Sequence, residues 1–225
     1  MANVTTSTVT FGRNGDAVPG YLAQPDSGSG PRPGVVVIQE WWGLNDHIKD
    51  VTRRLAAEGF VALAPDLYRG QTATEPDEAR KLIMNMGMEA ATKDIEAAIA
   101  YLSGLDAVAP KKIGVVGFCV GGRLTNNIAV TGAGAGAAVA FYGGVDIDPR
   151  HVVVPLLALY GEDDAGSPPE HIAALRQQFT GQNGQVISYP GADHAFFNDT
   201  RPVYNAQAST DAWTRTLAWF RDHLT

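Results

Sequence analysis

Four residue types able to do chemistry recur just after apolar runs: Glu40, Cys119, the pair Asp163 and Asp164, and His194. Cys119 is the single cysteine of the 225-residue chain. It sits in GFCVGG, where an apolar run breaks at Gly117 and a helical pattern begins past Gly121 and Gly122. A strand turning sharply into a helix through G-x-C-x-G exposes a nucleophile at the turn. A thiol with an ordinary pKa of about 8.5 is mostly protonated at neutral pH, so it needs a base. Histidine is the natural base, and a carboxylate can fix its tautomer and stabilise the imidazolium. His194, with Asp163 or Asp164 behind it, supplies both. The N–H of Val120, at the start of the helix, is one candidate oxyanion donor. Trp41, after an earlier strand, is the candidate for the second, and Trp42 beside it is a candidate pocket wall.

The elements that must place these groups alternate between strand and helix. Residues 3–11 and 18–23 predict a hairpin around GRNGD, with a loop at DSGSGPRPG. GVVVIQ (34–39), FVALAPDLY (60–68), KIGVVG, AAVAFYGG, VVVPLLALYGEDD (152–164) and the strand in QVISYPGADHAFFND read as buried strands. Between them, Ile48, Val51 and Leu55 recur at helical spacing after Asn45 and Asp46, with Gly59 as a stop. Thr74 and Pro76 open a second helical region; Met88, Ala91, Ile95, Ile99 and Leu102 mark a third up to Gly104. Pro168 and Pro169 start a helix with Ile172, Leu175 and Phe179 on one face, and Trp213, Leu217, Phe220 and Leu224 line a closing one. The pattern predicts an α/β fold over a single domain, residues 1–225. Its sheet would be mostly parallel, with helices on both faces and an antiparallel N-terminal hairpin. In such sheets ligands sit beyond the carboxyl ends of the strands.

Composition narrows the function classes. A net charge of -7 with scattered Lys and Arg offers no surface for phosphate backbones, so nucleic acid is not expected. No window approaches a membrane span, and the first residues lack a signal-peptide pattern; the expectation is a cytoplasmic protein without a membrane partner. With one cysteine there is no internal disulfide and no CxxC pair. His47, His151, His171 and His223 lack metal-site spacing, and GFCVGGRL lacks the spacing of phosphate-binding loops. No metal or organic cofactor is expected.

Cysteine, acid and histidine follow one another in the order of the α/β-hydrolase fold. QEWWGLN (39–45), PDLY (65–68), GFCVGG (117–122), GEDDAGSPPE (161–170) and GADHAFFND (191–199) together resemble the dienelactone hydrolase family, from about residue 15 to the C-terminus. The resemblance implies Cys119 as nucleophile, His194 as base and acid, Asp164 rather than Asp163 as orienting carboxylate, and Glu40 as an activator that helps ionise the thiol. It also implies arginines for a substrate carboxylate. Arg69 lies close to one such position, while Asn198 stands where an arginine is found, with Arg201 shortly after. The expected activity is hydrolysis of small esters or lactones through a cysteine acyl-enzyme, by a monomer or homodimer; the alternative is a thiol-based redox sensor or peroxide-reducing protein.

Overall fold

In the computed structural model, residues 3–13, 16–26 and 30–225 are described. Asn14 and Gly15 of the expected turn, and residues 27–29 of the expected loop, lie outside them. The expected hairpin is present and longer than its sequence signal: β1 (Val4–Arg13) pairs antiparallel with β2 (Asp16–Pro25). The chain continues through β3 (Gly34–Ile38), α1 (Asp46–Ala57), β4 (Val61–Pro65), α2 (Pro76–Met86), α3 (Met88–Gly104) and β5 (Ile113–Phe118). There follow α4 (Val120–Thr131), β6 (Ala135–Phe141), β7 (Leu156–Gly161), α5 (Pro169–Gln178), β8 (Gly184–Tyr189) and α6 (Ala206–His223).

One eight-stranded sheet runs in the order β1-β2-β4-β3-β5-β6-β7-β8. It is parallel from β4 onward, and β2 joins β4 antiparallel with Leu22 opposite Leu63. This is the α/β-hydrolase architecture expected from the sequence. The pleat sends alternate residues to opposite faces. Val35 and Val37 pack with Ile48, Val51 and Leu55 of α1 and Phe220 of α6. Val36 and Ile38 pack with Ile95, Ile99 and Leu102 of α3 and Leu124 of α4. Both faces are thus covered, as a parallel sheet requires.

Three expectations shift. The strand read at 152–164 begins at Leu156, because Pro155 lacks an N–H and the N–H groups of Val153 and Val154 both donate to the Ala129 carbonyl. The strand read at 60–68 stops at Pro65, where Asp66 accepts from the Tyr68 and Gly70 N–H groups and folds the chain into a turn. Met88 has core periodicity yet is 40% exposed. It opens α3 just after Gly87, whose φ of 68° separates α3 from α2.

Candidate active site

The sheet order reverses direction at β3: the chain leaves it for β4 on one side and, after two helices, for β5 on the other. The crevice at the carboxyl ends of β3 and β5 is where such sheets place ligands. Gln39 and Glu40 directly follow the first strand, Cys119 the second. Cys119 has φ 57° and ψ -117°, a conformation L residues adopt only when the surroundings impose it. The surroundings are very close. A Cβ at Gly117 would lie 2.1 Å from the Gly121 carbonyl oxygen, and one at Gly121 would lie 2.5 Å from that of Gln39. Only glycine lets α4 start this near to β3, which gives the G-x-C-x-G spacing its physical reason. The Cys119 N–H donates to the Phe141 carbonyl at 3.1 Å. Arg123 N–H closes the first helical bond onto the Cys119 carbonyl, leaving Val120, the first helical residue, without an intrahelical acceptor for its N–H.

Across a cavity of about 430 Å³, His194 from the loop after β8 faces Cys119 and Val120. Its Nδ1 lies 2.7 Å from Asp164 Oδ2, and Asp164, after β7, is buried and also accepts from the Gly166 N–H at 2.8 Å. Asp163 is exposed, its N–H turned to the Ala192 carbonyl. Burial opposes a charge on His194, but the hydrogen bonds to Asp164 and Cys119 and the charges of both raise it to about 10. Burial likewise works to raise Asp164, while the hydrogen bond and charge of His194 hold its carboxyl below the usual value. Cys119, His194 and Asp164 are therefore brought together as a nucleophile, base and orienting acid would have to be.

Glu40 is 1% exposed, and a buried carboxylate needs partners. Tyr142 Oη donates to its Oε1 at 3.3 Å and Asn198 Nδ2 to its Oε2 at 2.7 Å. The Asn198 carbonyl oxygen accepts from the Thr200 N–H at 3.1 Å and the Thr200 hydroxyl at 2.6 Å, so its amide nitrogen can only turn toward Glu40. Burial, then the charges of Glu40 and Cys119, push the Tyr142 phenol well above its ordinary value and keep it a donor. Tyr142 thus touches Glu40 with its hydroxyl while its ring packs 5.0 Å from that of His194. The sequence showed Tyr142 as an aromatic at a strand end and nothing of this contact.

The remaining candidates are placed less centrally. The Trp41 carbonyl accepts from the Tyr68 hydroxyl at 3.2 Å, and Trp42 is buried against it. Arg201 stacks its guanidinium 3.9 Å over the Trp42 ring. Arg69 is held by Asp94 at 2.8 Å and by the Asp66 carbonyl. Asn198 lies behind Glu40, buried to 1%, rather than on the cavity wall. The wall carries instead Arg123 and Ile83, which no sequence argument singled out, and Met88, which the helical spacing assigned to the core. Among the described residues no three His, Cys, Asp or Glu side chains converge as a metal ion would require. Among the described residues no helix is long and apolar enough to cross a membrane.

The model of the dienelactone hydrolase family matches residues 18–224. The chain belongs to that family. A protein of Yersinia pestis that bears the provisional name carboxymethylenebutenolidase is 36% identical over 232 residues, spanning 95% of this chain and 87% of its own. The crystal structure of a provisionally named dienelactone hydrolase from Klebsiella pneumoniae superposes with a TM-score of 0.88 at 31% identity, covering 97% of this chain and 99% of the other. P91, described as a dienelactone hydrolase-like promiscuous phosphotriesterase from metagenomic libraries, superposes at 0.86 with 29% identity, each chain covered in full at 100%. As a dienelactone hydrolase family member the protein is a carboxylic ester hydrolase acting on a small-molecule substrate, and membership gives the thiol-redox alternative no support.

Proposed function

We propose that the protein hydrolyses small esters or lactones through an acyl-enzyme on Cys119. The observation that carries this reading is the 2.7 Å contact of His194 with buried Asp164, across one cavity from a cysteine held at positive φ. The thiolate adds to the ester carbonyl carbon. The oxyanion forms beside the Val120 N–H, with the Trp41 N–H as the proposed second donor. Collapse expels the alkoxide, which takes its proton from the His194 imidazolium and leaves a thioester. His194, now neutral, removes a proton from water as the water attacks the thioester, and the carboxylic acid and free thiolate are released. Asp164 holds the ring so that its other nitrogen faces the sulfur.

Glu40 is assigned an electrostatic role behind the thiol. Fixed by Tyr142 and Asn198, its carboxylate lies near enough to influence the same phenol that Cys119 influences, which supports its reading as the activator that helps ionise the thiol. The experiment is single-turnover labelling with an activated ester, read by mass spectrometry. A covalent acyl adduct on Cys119 that is lost in His194→Ala and retained in His223→Ala is expected; equal labelling in both variants would remove His194 as the base.

A further inference from the structure

We infer that this site takes neutral esters or lactones bearing an apolar group, seated against Ile83 and Met88, and turns away substrates that carry a carboxylate. The inference rests on Cys119 being the nucleophile, and its test separates the two claims.

A carboxylate entering the cavity would need a cation, and the guanidiniums nearby are either paired with a carboxylate or off the cavity wall. Arg69 is paired with Asp94 at 2.8 Å. Arg201 keeps its charge but lies flat on Trp42 at 3.9 Å, off the cavity wall. Arg123 does line the cavity, but its Nη2 is 3.0 Å from Asp146 Oδ2, so the two together bring no net charge. Asn198 offers its amide to Glu40 and its carbonyl to Thr200, leaving no side-chain group for a ligand. Glu40 meanwhile is satisfied by neutral donors alone, the Tyr142 hydroxyl and the Asn198 amide. His194 and Asp164 balance one another, so the uncompensated charge behind the sulfur is negative and repels a second anion at close range.

The wall opposite offers the complementary chemistry. Ile83 comes from α2 and Met88 from the start of α3, on either side of the break at Gly87. Met84, on the same junction, is 76% exposed. Ile83 is half-buried against the α3 side of the core and Met88 is 40% exposed, so both leave apolar surface toward the cavity. An alkyl or aryl group lodged there removes apolar surface from water on both partners, with a ceiling of about fourfold in affinity per methylene.

The test compares kcat/KM for 4-nitrophenyl acetate, butyrate, valerate and hemisuccinate; valerate and hemisuccinate differ in an ethyl end against a carboxylate at matched length. Activity should climb from acetate to valerate, and hemisuccinate should fall at least about tenfold below valerate, with the gap narrowing as salt screens the repulsion. Ile83→Arg and Met88→Arg, each checked for an unchanged Tm, should both narrow the gap. The double variant Arg123→Gln/Asp146→Asn should leave it within about twofold, because it deletes a pair that carries no net charge. Hemisuccinate matching valerate, a gap that neither arginine variant moves, or a collapse of hemisuccinate turnover in the double variant would each overturn the inference. Valerate turnover with no acyl adduct on Cys119 would overturn the nucleophile assignment instead, the substrate ratio then being judged on turnover alone.

Discussion

Replacing Asn198 with aspartate changes one NH₂ group for an oxygen at the most tightly specified polar contact behind the thiol. The Thr200 N–H and hydroxyl continue to anchor one side-chain oxygen, so the new carboxylate is aimed at Glu40 Oε2 from where the amide nitrogen stood at 2.7 Å. Two carboxylates that close cannot both ionise, and one retains a proton. Taking about 4 Å between charge centres and an effective dielectric constant of about 20, the repulsion is about 4 kcal/mol. Divided by about 1.4 kcal/mol per pKa unit, that lifts the second ionisation by about three units, from about 4 to about 7. Between those values the native variant binds one more proton than its unfolded chain, so its stability must fall as pH rises, by about 1.4 kcal/mol per pH unit. Urea unfolding at pH 5, 6 and 7 should therefore show the gap between wild type and Asn198→Asp widening by about 2 kcal/mol, with unchanged m-values. A constant offset over that range would refute the account of Asn198 as a neutral donor fixed on Glu40.

His194→Ala should lower kcat by about 10² to 10⁴ while leaving the fold intact, because general acid–base transfer is what it removes; steady-state kinetics with thermal melts checks this. The raised His194, at about 10 against an unfolded value near 6.5, stabilises the fold fully below about pH 6.5 and loses that contribution as pH climbs through about 10. The Tm advantage of wild type over His194→Gln should accordingly be larger at pH 6 than at pH 10, and an advantage that grows with pH would contradict it. Gly121→Ala forces a Cβ to 2.5 Å from the Gln39 carbonyl and should cost at least about 1 to 3 kcal/mol, whereas Gly104→Ala, at the end of α3 with nothing within 4 Å, should be neutral or slightly stabilising. Differential scanning calorimetry of the pair separates close approach from a general intolerance of glycine replacement.

What the sequence made legible follows from how local each signal is. Continuous apolar runs between helical periodicities gave the buried strands, and the order of cysteine, acid and histidine placed three residues at strand ends that the fold then gathers. The choice between Asp163 and Asp164 could not be made from strand patterning, since adjacent residues point to opposite sides; the burial of Asp164 and its contact with His194 favour it over exposed Asp163. Asn198 was out of reach for another reason. Its partner, Glu40, lies 158 positions away, and whether its amide faces solvent, substrate or carboxylate depends on how the loop before α6 packs on the end of β3. Arg69 shows the same limit, because its engagement with Asp94 requires α3 to lie beside the turn after β4. Met88 misled for the opposite reason: its spacing fits the α3 core face, but the break at Gly87 leaves the first residue beyond the core's edge.

The contrast between α4 and α2 has a consequence for how such an enzyme can diversify. The residues under Cys119 are wedged so that a single added methyl group meets backbone, and drift there is paid for in folding. The helix that supplies Ile83 fully buries one alanine and lays Leu82, Ile83 and Met86 half-buried against the core, while Met84 and Met88 face water. Mutations at the exposed positions of that junction can therefore accumulate with little penalty to stability while reshaping what the cavity admits. A library confined to Met84, Asn85 and Met88 would explore new substrates against an unchanged reaction centre, a division of labour that directed evolution could exploit without first adding stabilising substitutions.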